Sequence, residues 1–181
     1  TPQHSPYHYA GVLQHILDSI RYLDPFDDIL ALALLLHDLG KPETRTTSAG
    51  GRDHFKGHPI AGQTIALRVV EELKLPSAWK KVIPQLVLHH DDILPRSLEA
   101  IFRLRITEGW SDEWVRMLFR VQYCDIMAHS SKGRQRLERL KASQAFYEEQ
   151  TASRPLSLKE LAIDGRDIMT YTGLRNRQIS Q

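Results

Sequence analysis

Cysteine is all but missing from this chain. Cys124 stands alone, which excludes an internal disulfide and any Cys-rich metal site, and a single thiol suits a reducing cytoplasm. Long apolar runs are missing too. The longest, Ile29–Leu36, falls far short of the roughly 20 residues that cross a bilayer, so no membrane partner is expected. There is no recognisable signal peptide, internal repeat or low-complexity tract, and the chain does not open on Met, as expected of a piece cut from something longer. Strand-like alternation is also wanting; nearly every segment carries helical period instead.

What is present fits an all-α protein. The 181 residues, 41% hydrophobic and 25% charged, are enough for one ordinary domain with a real core. In "HYAGVLQHILDSIRYL", Val12, His15, Ile16, Ser19, Ile20 and Leu23 share one helical stripe. "DPFDDILALALLLH" predicts a helix capped by Asp24 with Pro25 at its first position, apolar all round like a central buried helix, and stopped by Gly40 and Pro42. A loop, "RTTSAGGRDHF", precedes a helix starting near Pro59. Further helices are expected over "SAWKKVIPQLVLHHDD", with a bend at Pro84, and over "SLEAIFRLRIT", "SDEWVRMLFRVQYCDIMAH" and "GRQRLERLKASQAFYEEQ". These make one unit over residues 1–154. Residues 155–181 form a short helical extension, where Ser157 and Glu160 stand in capping-box spacing.

The net charge of +2 conceals an asymmetry. Residues 1–131 carry 14 basic against 16 acidic side chains, and residues 132–181 carry 10 against 6. The basic C-terminal region, densest over Lys132–Lys141, is either a solvated helix face or a contact for phosphate or RNA.

Nine histidines are many for this length, and several stand in apolar surroundings. His15 lies on the stripe of the first helix; His37 and Asp38 end the central one; His58 opens the next; His89, His90 and Asp91 end the one after Pro84. Asp125 falls in helical register with Leu118, Val121 and Ala128, on the side that should face the core. A carboxylate buried there is costly unless something pairs with it. Imidazoles and carboxylates converging between helices would make a site for one or two divalent ions, and such an ion would compensate the buried charge. Each residue taken singly also has a plain structural reading, as a satisfied core histidine or a helix cap.

The order His15, His37-Asp38, Asp125 resembles the HD superfamily of metal-dependent phosphohydrolases, with "LLLHDLGKP" similar to its central motif. "HFKGHPIAG" and "SPYHYAGVLQHI" resemble segments of the HD branch attached to bacterial tRNA nucleotidyltransferases and poly(A) polymerases, and "LAIDGRDIMTYTG" resembles the stretch that follows that domain. The resemblance implies an HD helical bundle with its metal site between helices. It implies that His15, His37, Asp38 and Asp125 hold a first ion, that Asp38 bridges to a second, and that His58 and His90 complete the pair, with His89 a further candidate ligand. Asp38 and Lys41 would be catalytic, Lys41 lying near the bound phosphate, although a lysine there also suits a helix C-terminus. His8 and His54 would touch substrate at the rim. His4 and His129 are read as incidental, although His129, one turn beyond Asp125, could orient it.

The activity so implied is hydrolysis of a phosphorylated nucleotide, a 2′,3′-cyclic phosphate or an RNA-end phosphate by metal-activated water, with Mn, Fe, Ni, Zn or Mg as the divalent metal. The chain lacks the Gly-Ser and paired Asp residues of a nucleotidyltransferase head, so nucleotide addition is not expected of it, and "GLRNRQISQ" lacks the Gly-Pro turn that usually follows. Two alternatives stand beside the hydrolase: an HD module that binds nucleotide or RNA without cleaving it, and a metal-free helical interaction domain.

Overall fold

The apolar run Ile29–Leu36 decides the architecture, because a helix without a polar face must be covered on most sides; Leu35, 42% exposed, is the one residue of the run left at the surface. In the computed structural model, which describes residues 1–152, it forms α2 (Asp28–Leu36), with α1 (Val12–Arg21), α4 (His58–Glu72), α5 (Ser77–His89) and α7 (Asp112–Met127) packed about it. Leu30, Ala33 and Leu34 are wholly buried. A short α3 (Lys41–Thr44) lies against α4, α6 (Leu98–Phe102) continues into a π turn, and α8 (Arg136–Ala152) packs on α7. The two-stranded ribbon β1 (Thr46–Thr47) and β2 (Asp53–His54) is the one sheet among the described residues. The helices form an all-α bundle, as the periodicity requires.

Three local expectations change. The cap of α2 is Asp27 and not Asp24: its carboxylate accepts from the Leu30 amide at 3.0 Å, and the helix therefore starts three residues after Pro25. Regular helix stops at Leu36, ahead of Gly40 and Pro42, leaving His37–Gly40 as a turn held by Leu39 N donating to Leu36 O (3.2 Å) and Lys41 N donating to Asp38 O (3.0 Å). The expected loop contains the ribbon, in which Thr46 faces His54 and Thr47 faces Asp53; two residues per strand are too few to show alternation. The helix α5 does run through Pro84, as the sequence implies. The expected extension over 155–181, with Ser157 and Glu160, lies outside the described residues.

Close approach of backbones fixes where α4 begins. A Cβ on Gly40 would stand 2.2 Å from the His58 carbonyl oxygen and 2.6 Å from the Gly62 amide nitrogen, so only glycine lets the turn after α2 touch the start of α4. Elsewhere the core is completed by polar anchors. Tyr147, fully buried, donates its hydroxyl to Asp112 at 2.8 Å, and Ser143 donates to the Leu94 carbonyl at 2.7 Å. Cys124 is buried in α7, and burial pushes its thiol up to about 11. No helix among the described residues is long and apolar enough to cross a membrane.

Gly40→Ala should destabilise the fold by about 2–3 kcal/mol, as overpacking between backbones does. Gly62→Ala, whose Cβ would meet the Val87 side chain at 3.1 Å, should cost clearly less. Denaturant midpoints of the two variants check this, and equal losses would show that the α2–α4 approach is not the tight point.

Candidate metal centre

Three helix ends and two helix flanks bring six side chains to one buried point. His37 and Asp38 follow α2, His58 opens α4, His90 follows α5, His15 faces in from α1 and Asp125 from α7, and all six are buried. The chain is bent to this arrangement by an economy of backbone bonding. The last carbonyls of a helix have no partner within it. His37 and His90 each turn Nδ1 back onto such a carbonyl, Leu34 O at 2.6 Å and Val87 O at 2.7 Å. His58 Nδ1 reaches Phe55 O at 2.9 Å and His15 Nδ1 reaches Ala128 O at 3.4 Å. A carbonyl can only accept, so Nδ1 carries a proton in each ring and Nε2 is turned to the centre, where its lone pair is open to a metal once any proton there is displaced.

Those lone pairs surround Asp38. Its Oδ2 lies 3.5 Å from His15 Nε2 and 3.4 Å from His37 Nε2, and both of these nitrogens also face Asp125 Oδ1, at 2.8 and 3.5 Å. Its Oδ1 lies 3.5 Å from His58 Nε2 and 3.7 Å from His90 Nε2. The two oxygens of one carboxylate therefore serve two separate sets of ligands. His58 Nε2 and His90 Nε2 are 3.2 Å apart with both partner nitrogens already donating elsewhere, a distance that a shared proton or a metal ion between them accommodates. Two imidazoles on one tetrahedral ion stand about 3.4 Å apart. Asp38 Oδ1 and His37 Nε2 are buried and make no hydrogen bond. A set of nitrogen and carboxylate oxygen donors with unpaired lone pairs fits a divalent ion, and it could hold two.

Electrostatics agree with this geometry. Burial would raise the carboxyl of Asp38, but Lys41 and His37 hold it well below the usual range; burial is likewise outweighed at Asp125, by His129, His15 and His37. Burial would lower His37, yet the Asp38 and Asp125 carboxylates raise it to about 10. His90 is pushed down to about 4 by burial and by the charge of His37. Lys41 donates to Asp38 Oδ2 at 2.6 Å and to Gln3 Oε1 at 2.9 Å, so one ammonium stands against two buried carboxylates.

The remaining candidates separate. His89 turns away from the centre: its ring edge meets Trp110 at 5.3 Å, and its Nδ1 is 4.0 Å from Asp92. Adjacent residues at a helix end point about 100° apart, so His89 and His90 cannot both face one ion. His8 packs on His15 and His129, with ring centroids 4.9 and 4.4 Å away, and its Nδ1 is unpartnered. Burial, reinforced by Lys41, lowers His8 to about 2. His54 lines the mouth of a cleft of about 600 Å³ that opens over Asp38, Lys41 and His90.

Several supporting residues gave no sequence signal. Gln3 holds Lys41, and Gln122 donates to the His89 and Asp92 carbonyls at 3.1 and 2.8 Å, fixing the turn that aims His90. His129, read as incidental, is buried with Nδ1 donating to Asp125 O at 2.7 Å; its spacing of one turn from Asp125 was the available clue.

Three measurements check this centre. His90→Ala should weaken Mn²⁺ binding at least about tenfold, whereas His89→Ala should leave it nearly unchanged; similar losses would mean the two rings are not divided as described. Mn²⁺ binding at neutral pH should also displace the proton on His37, so calorimetric heats should vary with the buffer's ionisation enthalpy. In EDTA, stability owed to the two depressed carboxylates is present above about pH 4 and is lost as pH falls. Stability owed to raised His37 is full below about pH 6.5 and is lost as pH rises through about 10. A metal-free melting temperature that stayed flat across both limits would contradict these couplings.

Comparison with known proteins bears on the family of the chain. A family model described as "HD domain" matches residues 7–159. An A-adding tRNA nucleotidyltransferase of Deinococcus radiodurans is 34% identical over 94 residues, 49% of this chain and 22% of that protein. A CC-adding tRNA nucleotidyltransferase of Thermus thermophilus is 29% identical over 175 residues, 93% of this chain and 38% of that protein. The chain thus spans well under half the length of these curated relatives. Since the family model reaches across most of its residues, including every side chain of the buried cluster, this protein belongs to the HD domain family.

Proposed function

We propose that this chain hydrolyses phosphate esters of nucleotides or RNA ends, as phosphomonoesters or 2′,3′-cyclic phosphates, at a two-metal centre. The observation that carries this reading is the division of Asp38. Its Oδ2 faces His15, His37 and, through them, Asp125; its Oδ1 faces His58 and His90. In this reading His15, His37, Asp125 and Asp38 would hold one divalent ion, and His58, His90 and Asp38 would hold another. Ions so held supply Lewis-acid charge to phosphoryl oxygens and lower the pKa of water towards neutrality. Mn, Fe, Ni, Zn and Mg all suit such ligands, and availability decides among them.

The protein's own groups bind and orient the phosphate. Lys41, held by Gln3, sets a fixed ammonium beside Asp38, where it offsets charge that develops on the phosphoryl group. Lys56 lines the same cleft and favours an anionic ligand. His8, with its free Nδ1, contacts the substrate from the wall, and His54 does so from the rim. Water adds to phosphorus, the ester P–O bond breaks, and the departing oxygen takes up the proton.

A second reading draws on the relatives, whose names are those of tRNA nucleotidyltransferases and which are much longer than this chain. There the HD unit binds RNA as one part of a larger protein and cleaves nothing. Release of phosphate, or ring opening, from a panel of nucleotides and cyclic nucleotides in Mn²⁺, Ni²⁺, Mg²⁺ or EDTA separates the two. Turnover should require metal, and Asp38→Asn should lower kcat/KM at least about a hundredfold with the helical circular dichroism intact. Activity that survives this substitution overturns the hydrolase. Silence across the panel with metal bound favours the binding module.

A further inference from the structure

The mouth of the cleft carries a second cluster with chemistry of its own. Tyr7 immediately precedes His8 and is 38% exposed. The strand of chain that bears it is fastened on both sides. The Ser130 amide donates to Tyr7 O at 2.9 Å and the Ser130 hydroxyl donates to Pro6 O at 2.7 Å, which ties it to the turn after α7. The His4 amide donates to Asp53 Oδ2 at 2.8 Å and the Asp53 amide donates to His4 O at 3.0 Å, which ties it to β2. The aromatic ring is therefore a fixed platform and not a loose surface side chain.

Two cations flank this platform. The guanidinium of Arg52, from the turn of the ribbon, and the ammonium of Lys132, from the turn after α7, each lie over the Tyr7 ring, 5.5 Å from its centroid, in cation–π contact. Both side chains are exposed, and among the described residues neither forms an ion pair with a carboxylate. Their neighbours differ. Arg45 is taken by Asp53, Arg136 by Asp91, and Arg134 by the His129 carbonyl and the Tyr22 hydroxyl. Of the basic run that begins at Lys132, the member beside the cleft that keeps its charge uncommitted is Lys132 itself. Lys41 already supplies a cation at the centre, so Arg52 and Lys132 stand ready for negative charge elsewhere on the ligand.

We infer that Tyr7, Arg52 and Lys132 form a subsite for the nucleotide next to the reacting phosphate. A base stacks on the Tyr7 face by displacing these exposed cations from over the ring, and the phosphodiester that precedes the terminal nucleotide is drawn between Arg52 and Lys132. The preferred substrate is then a single-stranded polynucleotide end and not a mononucleotide. Stacking on a π face is tolerant of base identity, so the subsite selects for a chain and not for a sequence. The inference rests on the hydrolase reading for the reaction, but its binding part stands without it.

The test uses a 5′-fluorescein RNA trinucleotide ending in a 2′,3′-cyclic phosphate, followed by fluorescence anisotropy in EDTA so that no turnover intervenes. The 2′,3′-cyclic mononucleotide should compete at least tenfold more weakly than the unlabelled trinucleotide. Arg52→Ala and Lys132→Ala should each weaken trinucleotide binding at least fivefold and flatten the slope of log affinity against log salt by about 0.7, the share of one phosphate contact on a single strand. Tyr7→Leu should weaken binding and Tyr7→Trp should restore it. Equal affinity for the two ligands, or an unchanged salt slope in both cation variants, would overturn the subsite. Turnover in Mn²⁺ is measured in parallel: hydrolysis without chain selection sinks the subsite alone, and chain selection without any metal-dependent hydrolysis sinks the hydrolase alone.

Discussion

Everything in this fold answers to a surplus of lone pairs. Four imidazoles and two carboxylates face one another inside the protein, with the Lys41 ammonium and the charge that the carboxylates keep on His37 set against them. Acceptors at 3–4 Å in a low-dielectric interior repel unless positive charge lies between them. A cation-binding centre is thus a requirement of the packing as much as a device for chemistry. The same requirement explains why an apolar helix such as α2 ends abruptly in His-Asp. The buried helix delivers its C-terminus to the middle of the molecule, where a surface helix could not reach.

The centre is aimed by the backbone more than by other side chains. Three of the four histidines that face Asp38 bond Nδ1 to the carbonyl three residues earlier, so ring direction follows from helix termination. This makes the ligands rigid at small cost, because the carbonyls at the ends of α2 and α5 needed partners in any case. Gly40 then allows α2 and α4 to close on each other, and Gln122 holds the turn that carries His90. Long side chains at the rim are held less firmly, which suits a mouth that must admit and release a ligand.

Much of this was legible from spacing alone, and the exceptions are instructive. Helical period located the bundle because burial acts on every third or fourth residue, and the polar residues that broke the period, His15 and Asp125 above all, were those that converge. Where two neighbouring residues competed for one role, sequence could not choose. His89 and His90 differ only by their angle about the helix axis, and Asp24 and Asp27 are both acceptable caps until the first free amide is known. The supporting residues Gln3 and Gln122 were invisible for another reason: an isolated glutamine has no pattern, and its partners lie 38 and 30 or more positions away. The ribbon escaped notice because its strands are shorter than one period of alternation.

The solitary, buried Cys124 takes on a further meaning beside this centre. The protein has no covalent cross-link, yet His15 and Asp125, 110 positions apart, meet at 2.8 Å. A divalent ion held by α1, α4, α7 and the ends of α2 and α5 would close several long loops at once, and loop closure is worth most when the loops are long. In a reducing compartment such an ion would do the work of a disulfide framework, joining segments that only the folded state brings together. Loss of the ion would then lower the temperature at which the bundle unfolds while leaving its helices in place under ordinary conditions, so that metal supply would set the heat tolerance of the fold as well as its chemistry.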